Sequence, residues 1–445
     1  MANRRSRRLS SPAGPRSDGA LYDEGQVAGI RRWPIDPTEK GFGGPAHRSA
    51  LTAGQLARER PRAGAGLLST PRVLLREQAL RHNIAAMAAY CAAHAVILFP
   101  HGKTTMAPQI LAAQLDAGAV GITAASISQV RMFRCFGVRN VLLANELVDD
   151  ASISWVAREL AADGQFSFLC YVDSVPGAGR LDRILAACGF TSRLRVLVEL
   201  GHDDGRTGCR TRAEALAVAT AVGRAPRLEL AGVAGYEGSL LAPTPAETAR
   251  KARAYCEELR QLALSLAASG QFPEPPVVTA GGSAYFDEVV DVLGRQRDWS
   301  LILRSGCYVT HDHGLYSRIA PSGRNTPAVP VLEPALEAWA PVLSRPERET
   351  AVLGIGRRDV SFDAGNPVVL HGRAADGTTL DSGGAVVRRL FDQHAVLSVA
   401  AEARLAPGDE ICLGISHPCT TFDKWRWIPV LDAEDRITDV VRTFF

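Results

Sequence analysis

From Thr70 to about Ser305, short apolar runs alternate with longer stretches in which apolar residues recur at helical spacing. The runs are Val96–Phe99, Ala119–Thr123, Asn140–Ala144, Phe166–Val172, Leu194–Leu200, Leu230–Tyr236, Pro276–Ala280 and Leu301–Arg304. Between them, Thr105–Ala117, Ile127–Phe136, Thr211–Gly223 and Pro245–Ser269 have the length and period of helices. Ahead of them, Gln78–His94 places Leu80, Ile84 and Met87 on one face. Runs that are apolar on both faces belong to parallel strands covered by helices. Eight such alternations predict an α/β protein built on a parallel (β/α)8 TIM barrel. The competing architecture, an open doubly wound sheet, would be supported by Gly-x-Gly-x-x-Gly after the first strand, and none stands there.

After Ser305 the pattern changes. Pro, Gly and Asp become frequent, and short β-like runs follow: Ala351–Gly354, Ala395–Val399, Glu410–Leu413, Trp427–Leu431 and Ile437–Val441. The reading is a barrel over 66–305 and a smaller, mainly β domain over 306–445. An early strand, Pro71–Leu75, precedes the barrel and is a candidate to complete that domain's sheet. Residues 1–65, rich in Arg, Gly and Pro, read as a disordered basic tail and irregular lead-in.

Composition narrows the class. The chain has 445 residues, 46% of them hydrophobic, enough for two cores. Its 50 basic and 47 acidic residues leave a net charge of +3, with no nucleic-acid or membrane signature. Nine scattered cysteines without a Cys-x-x-Cys pair argue for a reducing compartment rather than a disulfide framework. No segment approaches the roughly 20 apolar residues of a membrane span. Arg4, Arg5, Arg7 and Arg8 are followed by small and polar residues rather than the apolar core of an export signal. A cytoplasmic protein is expected.

Candidate chemistry gathers at strand ends. Lys103, in Pro100-His101-Gly102-Lys103-Thr104-Thr105, follows the first predicted barrel strand. Strand C-termini form the active-site side of such folds, and a desolvated lysine there can attack a carbonyl. Alone, it reads first as a solvated loop lysine. Val277-Val278-Thr279-Ala280-Gly281-Gly282-Ser283 ends the seventh strand in a turn whose amides can approach an anion at the start of a helix. Arg206, in Gly205-Arg206-Thr207-Gly208 after the fifth strand, is placed to bond a phenolate-type or carboxylate oxygen, or to pair with Asp203 or Asp204. Tyr236, at the end of the sixth, is a ring contact or a core aromatic. In Gly414-Ile415-Ser416-His417-Pro418-Cys419, an extended backbone would project His417 and Cys419 to one side, as a metal pair, most plausibly for zinc, or as a buried thiol near a structural histidine. His311 and His313 share that spacing, and His394 is a further candidate that reads first as a loop histidine.

These elements occur in order, and together they resemble the D-serine dehydratase and D-threonine aldolase-like proteins, which are fold type III (alanine racemase-type) pyridoxal phosphate enzymes. The likeness runs from about Pro71 to the C-terminus and is strongest to bacterial amino acid deaminase or D-serine deaminase-like proteins, whose lysine motif also reads His-Gly-Lys-Thr-Thr. It implies an alanine-racemase-type barrel, a β domain and a homodimer. It implies Lys103 as the Schiff-base lysine, Gly281, Gly282 and Ser283 as phosphate holders, and Arg206 at the cofactor's 3-oxygen. Tyr236 and Tyr308 (in Ser305-Gly306-Cys307-Tyr308-Val309) fall in motifs that line the cofactor pocket. His417 and Cys419 match the zinc pair of eukaryotic-type D-serine dehydratases, whereas the aldolases carry aspartate where Cys419 stands. The chain departs from relatives at Gly102, often bulkier, at Thr105, often histidine, and at Gly356-Arg357-Arg358-Asp359, where relatives often have Gly-x-Lys.

The resemblance implies elimination of water and then ammonia from a small D-3-hydroxy amino acid. Lys103 would take the α-proton, zinc would assist loss of the β-hydroxyl, and His101 would position the lysine, shuttle a proton, or simply pack. The alternatives are retro-aldol cleavage to glycine and an aldehyde, or a non-catalytic pyridoxal phosphate carrier.

Overall fold

A computed structural model describes residues 19–46, 49–64, 66–296, 298–381 and 384–445. The eight apolar runs form eight strands: Ile97–Leu98, Ile122–Ala124, Asn140–Glu146, Ser167–Val172, Leu194–Leu200, Leu228–Gly235, Val277–Ala280 and Ser300–Leu303. They lie side by side in sequence order, with the eighth returning to pair with the first, all parallel. Between the first and second strands the ladder is reduced to a His101–Thr123 bridge and the N–H of Val120 on the Leu98 carbonyl. The barrel is therefore incomplete at that seam, immediately beside Lys103.

Alternation explains the unbroken apolar runs. Leu142, Leu169, Tyr171, Leu197, Ala234 and Ile302 point into the lumen and pack on one another. Their neighbours Val141, Leu143, Phe168, Cys170, Val196 and Val198 face outward onto the helices. Helix starts follow local chemistry. Thr211 and Thr244 each accept from the N–H of a glutamate three residues on, whose carboxylate returns the bond. Pro245 stands where a missing N–H does no harm.

The second domain is an antiparallel assembly around the long strand Leu336–Glu347, with Thr350–Leu353, Val368–Arg373, Val386–Leu390, Ala395–Ser398, Glu410–Gly414, Trp427–Leu431 and Ile437–Arg442. Strand Arg72–Arg76 inserts between Leu336–Glu347 (antiparallel) and Trp427–Leu431 (parallel). The chain thus begins this domain's sheet, builds the barrel, and returns to finish the sheet.

The lead-in differs from the expectation. Residues 19–64 include helices Glu24–Gly29 and Ala53–Glu59, and Ile30, Ile35, Phe42 and Leu56 are buried against Trp339, Trp427 and Ile437. Its apolar residues are too sparse to show a period, yet each meets the aromatic outer face of the β sheet. The expected basic tail lies mostly outside the described residues. Among the described residues, no helix is long and apolar enough to cross a membrane.

Candidate active site

Lys103 sits in a single helical turn, Gly102–Thr104, entered from the first barrel strand through Pro100. Gly102 is required by packing: a Cβ there would lie 2.5 Å from Phe133 and 2.8 Å from Ile122. Phe133 and Ile122 fill the space that a side chain at position 102 would need. Gly306 serves the same end from the other side, since a Cβ would lie 2.6 Å from Thr104 Oγ1 and 2.8 Å from the His101 Cβ. The lysine turn and the segment leaving the eighth strand are thereby pressed together.

Around the lysine the barrel mouth is cationic. Burial, then the charges of Lys103, Arg304 and Arg206, hold His101 well below the usual imidazole range, so it is neutral. Its Nδ1 is buried without a hydrogen-bond partner among the described residues. Arg206 stacks 4.7 Å from the centroid of Tyr236 and makes no ion pair with Asp203 or Asp204 among the described residues. The stacked placement leaves its guanidinium edge available to a ligand. Burial, then the Glu237 charge, pushes the Tyr236 phenol up to about 12.

Arg304, which sequence reasoning passed over as the end of a strand, is 5% exposed and donates to Thr279 Oγ1 and the Gly235 carbonyl, both at 2.6 Å. A buried guanidinium held by neutral acceptors keeps its full positive field at the mouth. Deeper in, both Glu146 carboxyl oxygens, Glu199 Oε2 and the Tyr171 hydroxyl are buried without partners among the described residues. Burial and the charges of Glu199 and Asp173 push Glu146 up to about 8. Two carboxyls facing one another are acceptors only, so a proton on Glu146 supplies the missing donor.

The Gly281-Gly282-Ser283 turn holds an anion already. Its Gly281 and Gly282 amides donate to the two oxygens of the fully buried Glu237 carboxylate, at 3.0 and 2.7 Å. The two glycine amides are thus committed to Glu237, and Ser283 with the first amides of helix Phe286–Leu293 remains to face a phosphate. Gly281 lies at φ +93°, and a Cβ on Gly282 would stand 3.0 Å from Tyr236. Tyr308 meets this turn by its backbone N–H, 3.3 Å from Ser283 Oγ. Its ring departs from the expected pocket role. It is 1% exposed in the main core, with its hydroxyl accepting from Gln114 at 2.8 Å.

On the β-domain side, His417, Cys419 and Cys307 bring their ligand atoms within 4.8 Å of one another. The pairing of His417 with Cys419 arises differently from the extended segment expected. Pro418 has helical angles and opens the short helix Cys419–Phe422, so a turn, not strand alternation, brings the two together. The Ser361 hydroxyl, bonded to Ser416 Oγ, accepts from the His417 N–H at 3.0 Å and fixes this corner. Asp363 Oδ2 lies 2.7 Å from His417 Nδ1, which leaves Nε2 as the ring's free ligand atom. Burial opposes charge on His417, but Cys419 and Asp363 outweigh it and raise the imidazole to about 9. Contact with Cys307 and His417 pulls the Cys419 thiol well down, while Cys307 is pushed up and keeps its proton. Cys307, Asp363 and Tyr316, whose tilted ring centres 6.3 Å from that of His417, were not singled out by sequence reasoning; local spacing carries no sign of them.

His311 is 4% exposed and depressed to about 4 by burial and His313, and His394 is exposed in a hairpin turn. Neither these nor His313 joins the metal-type cluster among the described residues. The Gly356–Asp359 turn is structural: Asp359 pairs with Lys40 at 2.6 Å and accepts from the Gly356 N–H.

Comparison with known proteins bears on this arrangement. A family model described as "Alanine racemase, N-terminal domain" matches residues 75–298, just over half of the 445-residue chain. The chain belongs to the fold type III, alanine-racemase-like family of pyridoxal phosphate enzymes. A second model, "Putative serine dehydratase domain", matches residues 335–431 of this fold type III enzyme. It is 27% identical to a D-threonine aldolase of Arthrobacter sp over 369 residues, 80% of this chain and 87% of that protein. It is also 27% identical to a D-threo-3-hydroxyaspartate dehydratase of Delftia sp. (strain HT23) over 391 residues, 83% and 96% of the two chains. The crystal structure of D-threonine aldolase from Filomicrobium marinum superposes with a TM-score of 0.70 at 26% identity, covering 84% of this chain and 95% of that one.

The residues of this fold type III enzyme fit a pyridoxal phosphate. A lysine at the open seam, two arginines without carboxylate partners, an orphaned His101 Nδ1 and a turn whose glycine spacing is filled by Tyr236 together suit an anionic ring compound bearing a carbonyl. The sulfur and imidazole donors of the second cluster suit a soft or borderline divalent metal.

Proposed function

We propose that the chain is a pyridoxal phosphate-dependent lyase acting on a small D-3-hydroxy amino acid at its Cβ. The observation that carries this is the adjacency of the two clusters: Thr104, the residue after Lys103, lies 3.4 Å from Cys419 Sγ. A substrate whose amine takes the place of Lys103 on the cofactor's carbonyl carbon would have its β-hydroxyl toward the metal-type donors. The cofactor supplies a sink for the electron pair left on Cα when a bond to that carbon breaks. A divalent metal on His417 and Cys419 supplies positive charge at the β-oxygen.

The protein's own groups do the rest. Lys103 gives or takes the proton at Cα, neutral His101 packs beside it without adding charge, and Arg206 and Arg304 hold negative charge at the mouth. Asp363 keeps the His417 ring oriented.

Retro-aldol cleavage takes first place, supported by the aldolases among the relatives, at 27% and 26% identity. In that reaction the β-hydroxyl loses its proton and the Cα–Cβ bond breaks, giving glycine and an aldehyde. Elimination, expected from the sequence, is the second reading. It is favoured by Cys419, which by the resemblance stands where the aldolases carry aspartate, and by the dehydratase relative at 27% identity. The carrier reading is disfavoured by the metal-type cluster. We further propose a homodimer, on the family resemblance.

The purified protein, supplied with pyridoxal phosphate and zinc, is to be incubated with D- and L-threonine, D-serine and D-3-hydroxyaspartate. Glycine plus an aldehyde supports cleavage, and ammonia plus a 2-oxo acid supports elimination. Turnover of L-isomers alone, or no turnover, would overturn the proposal.

A further inference from the structure

Next to Tyr308 in sequence, Cys307 is set by the fold with its Sγ 3.3 Å from Cys419 Sγ, 112 residues away. It is 6% exposed and lies on the barrel's side of the seam, whereas His417 and Cys419 come from the β domain. Gly306 makes the approach possible, because a side chain there would collide with Thr104 and His101. Thr104 Oγ1 in turn lies 3.9 Å from Cys307 Sγ and 3.4 Å from Cys419 Sγ.

We propose that Cys307 is a third metal ligand, which with His417 and Cys419 makes a two-thiolate, one-imidazole zinc site spanning barrel and β domain. Three converging soft or borderline donors with a carboxylate behind the imidazole match the pattern of catalytic zinc, which keeps its fourth position for water or substrate. Tetrahedral zinc holds two sulfurs about 3.8 Å apart, given a Zn–S bond of about 2.3 Å. The two thiols need separate by only about half an ångström to reach that spacing. Two thiolates also decide the metal. They select zinc over magnesium, calcium and manganese, which prefer oxygen donors. They leave the ion with its charge neutralised, so it binds tightly and polarises a bound oxygen less than a site with one thiolate would.

This deepens the lyase reading by naming a ligand of its metal, but its readout is metal binding, so the two fail separately. The reduced, full-length protein is stripped of metal and titrated with cobalt(II), then with zinc(II) against a chelator. Cys307→Ser and Cys419→Ser are each expected to lose about half of the near-ultraviolet cobalt–thiolate absorbance, and Cys307→Ser to weaken zinc binding at least about tenfold. Unchanged absorbance and affinity in Cys307→Ser would reduce Cys307 to a hydrogen-bond donor toward Cys419. Manganese or magnesium binding as tight as zinc would overturn the proposal as well. X-ray absorption of the zinc-loaded wild-type protein counts sulfur ligands without a variant. Two sulfurs are expected, and one would refute the assignment even if Cys307→Ser fails to fold.

Discussion

Thr104 Oγ1 lies 3.4 Å from Cys419 Sγ, a contact between residues 315 positions apart. It joins the lysine turn to the metal-type cluster, and so makes one site of two features carried by different domains. Much of what can be tested follows from that junction.

Lys103→Ala is expected to abolish the visible absorbance of the lysine-bound cofactor. Loss of proton transfer alone should lower turnover by roughly 10²–10⁴-fold. Spectra and single-turnover rates on the cofactor-supplemented variant check both, and an unchanged band would remove Lys103 from its role.

Asp363→Asn should weaken zinc binding by roughly 10–100-fold, because the carboxylate facing His417 Nδ1 at 2.7 Å fixes the tautomer and raises the ring's basicity. Competition against a chromophoric chelator measures it. The melting temperature of the metal-free variant should hardly move, since Asp363 is half-exposed.

Glu237→Ala removes the acceptor shared by the Gly281 and Gly282 amides. Each buried amide left unpaired costs about 1–3 kcal/mol, so a lower melting temperature is expected, together with weaker retention of pyridoxal phosphate as the turn loosens. Tighter retention would instead show that Glu237 competes with the phosphate for the cradle.

Glu146→Gln tests the proton in the barrel lumen. Glu146 is raised from 4.5 to about 8, facing Glu199 and Asp173, with Tyr171 and Cys170 beside it. The folded state therefore binds more protons than the unfolded state between these values, and stability must fall as pH rises from about 4.5 through about 8. The glutamine variant keeps a neutral side chain throughout. Its melting temperature should decline less over that window, and at pH 8 it should exceed the wild type.

Several elements were legible before any coordinates. Each apolar run from Val96 to Arg304 became a barrel strand, because a strand buried on both faces must be apolar at every position. Lys103, Arg206, Tyr236 and Gly281–Ser283 stood at the ends of those runs, and strand order alone brings such ends to one mouth. Even Arg72–Arg76 was recognisable as a strand belonging elsewhere. In the β domain, the strands Leu336–Glu347, Val368–Arg373 and Val386–Leu390 were missed. Their half-exposed faces mix Pro, His and Arg with apolar residues, and a weak alternation cannot separate strand from loop.

What the sequence determined by itself was periodicity: which segments are strands, where each ends, and which reactive side chains sit at those ends. These are local properties, set within a few residues. The tertiary structure decided everything that depends on distance across the chain. It committed the Gly281 and Gly282 amides to Glu237, turned the Tyr308 ring into the core, folded Ile30, Ile35, Phe42 and Leu56 of the lead-in onto the β sheet, and set Cys307 against Cys419. The physical reason is that burial and hydrogen-bond satisfaction are settled between elements. A cysteine, a glutamate or a tyrosine carries no mark of its partner until packing has chosen one.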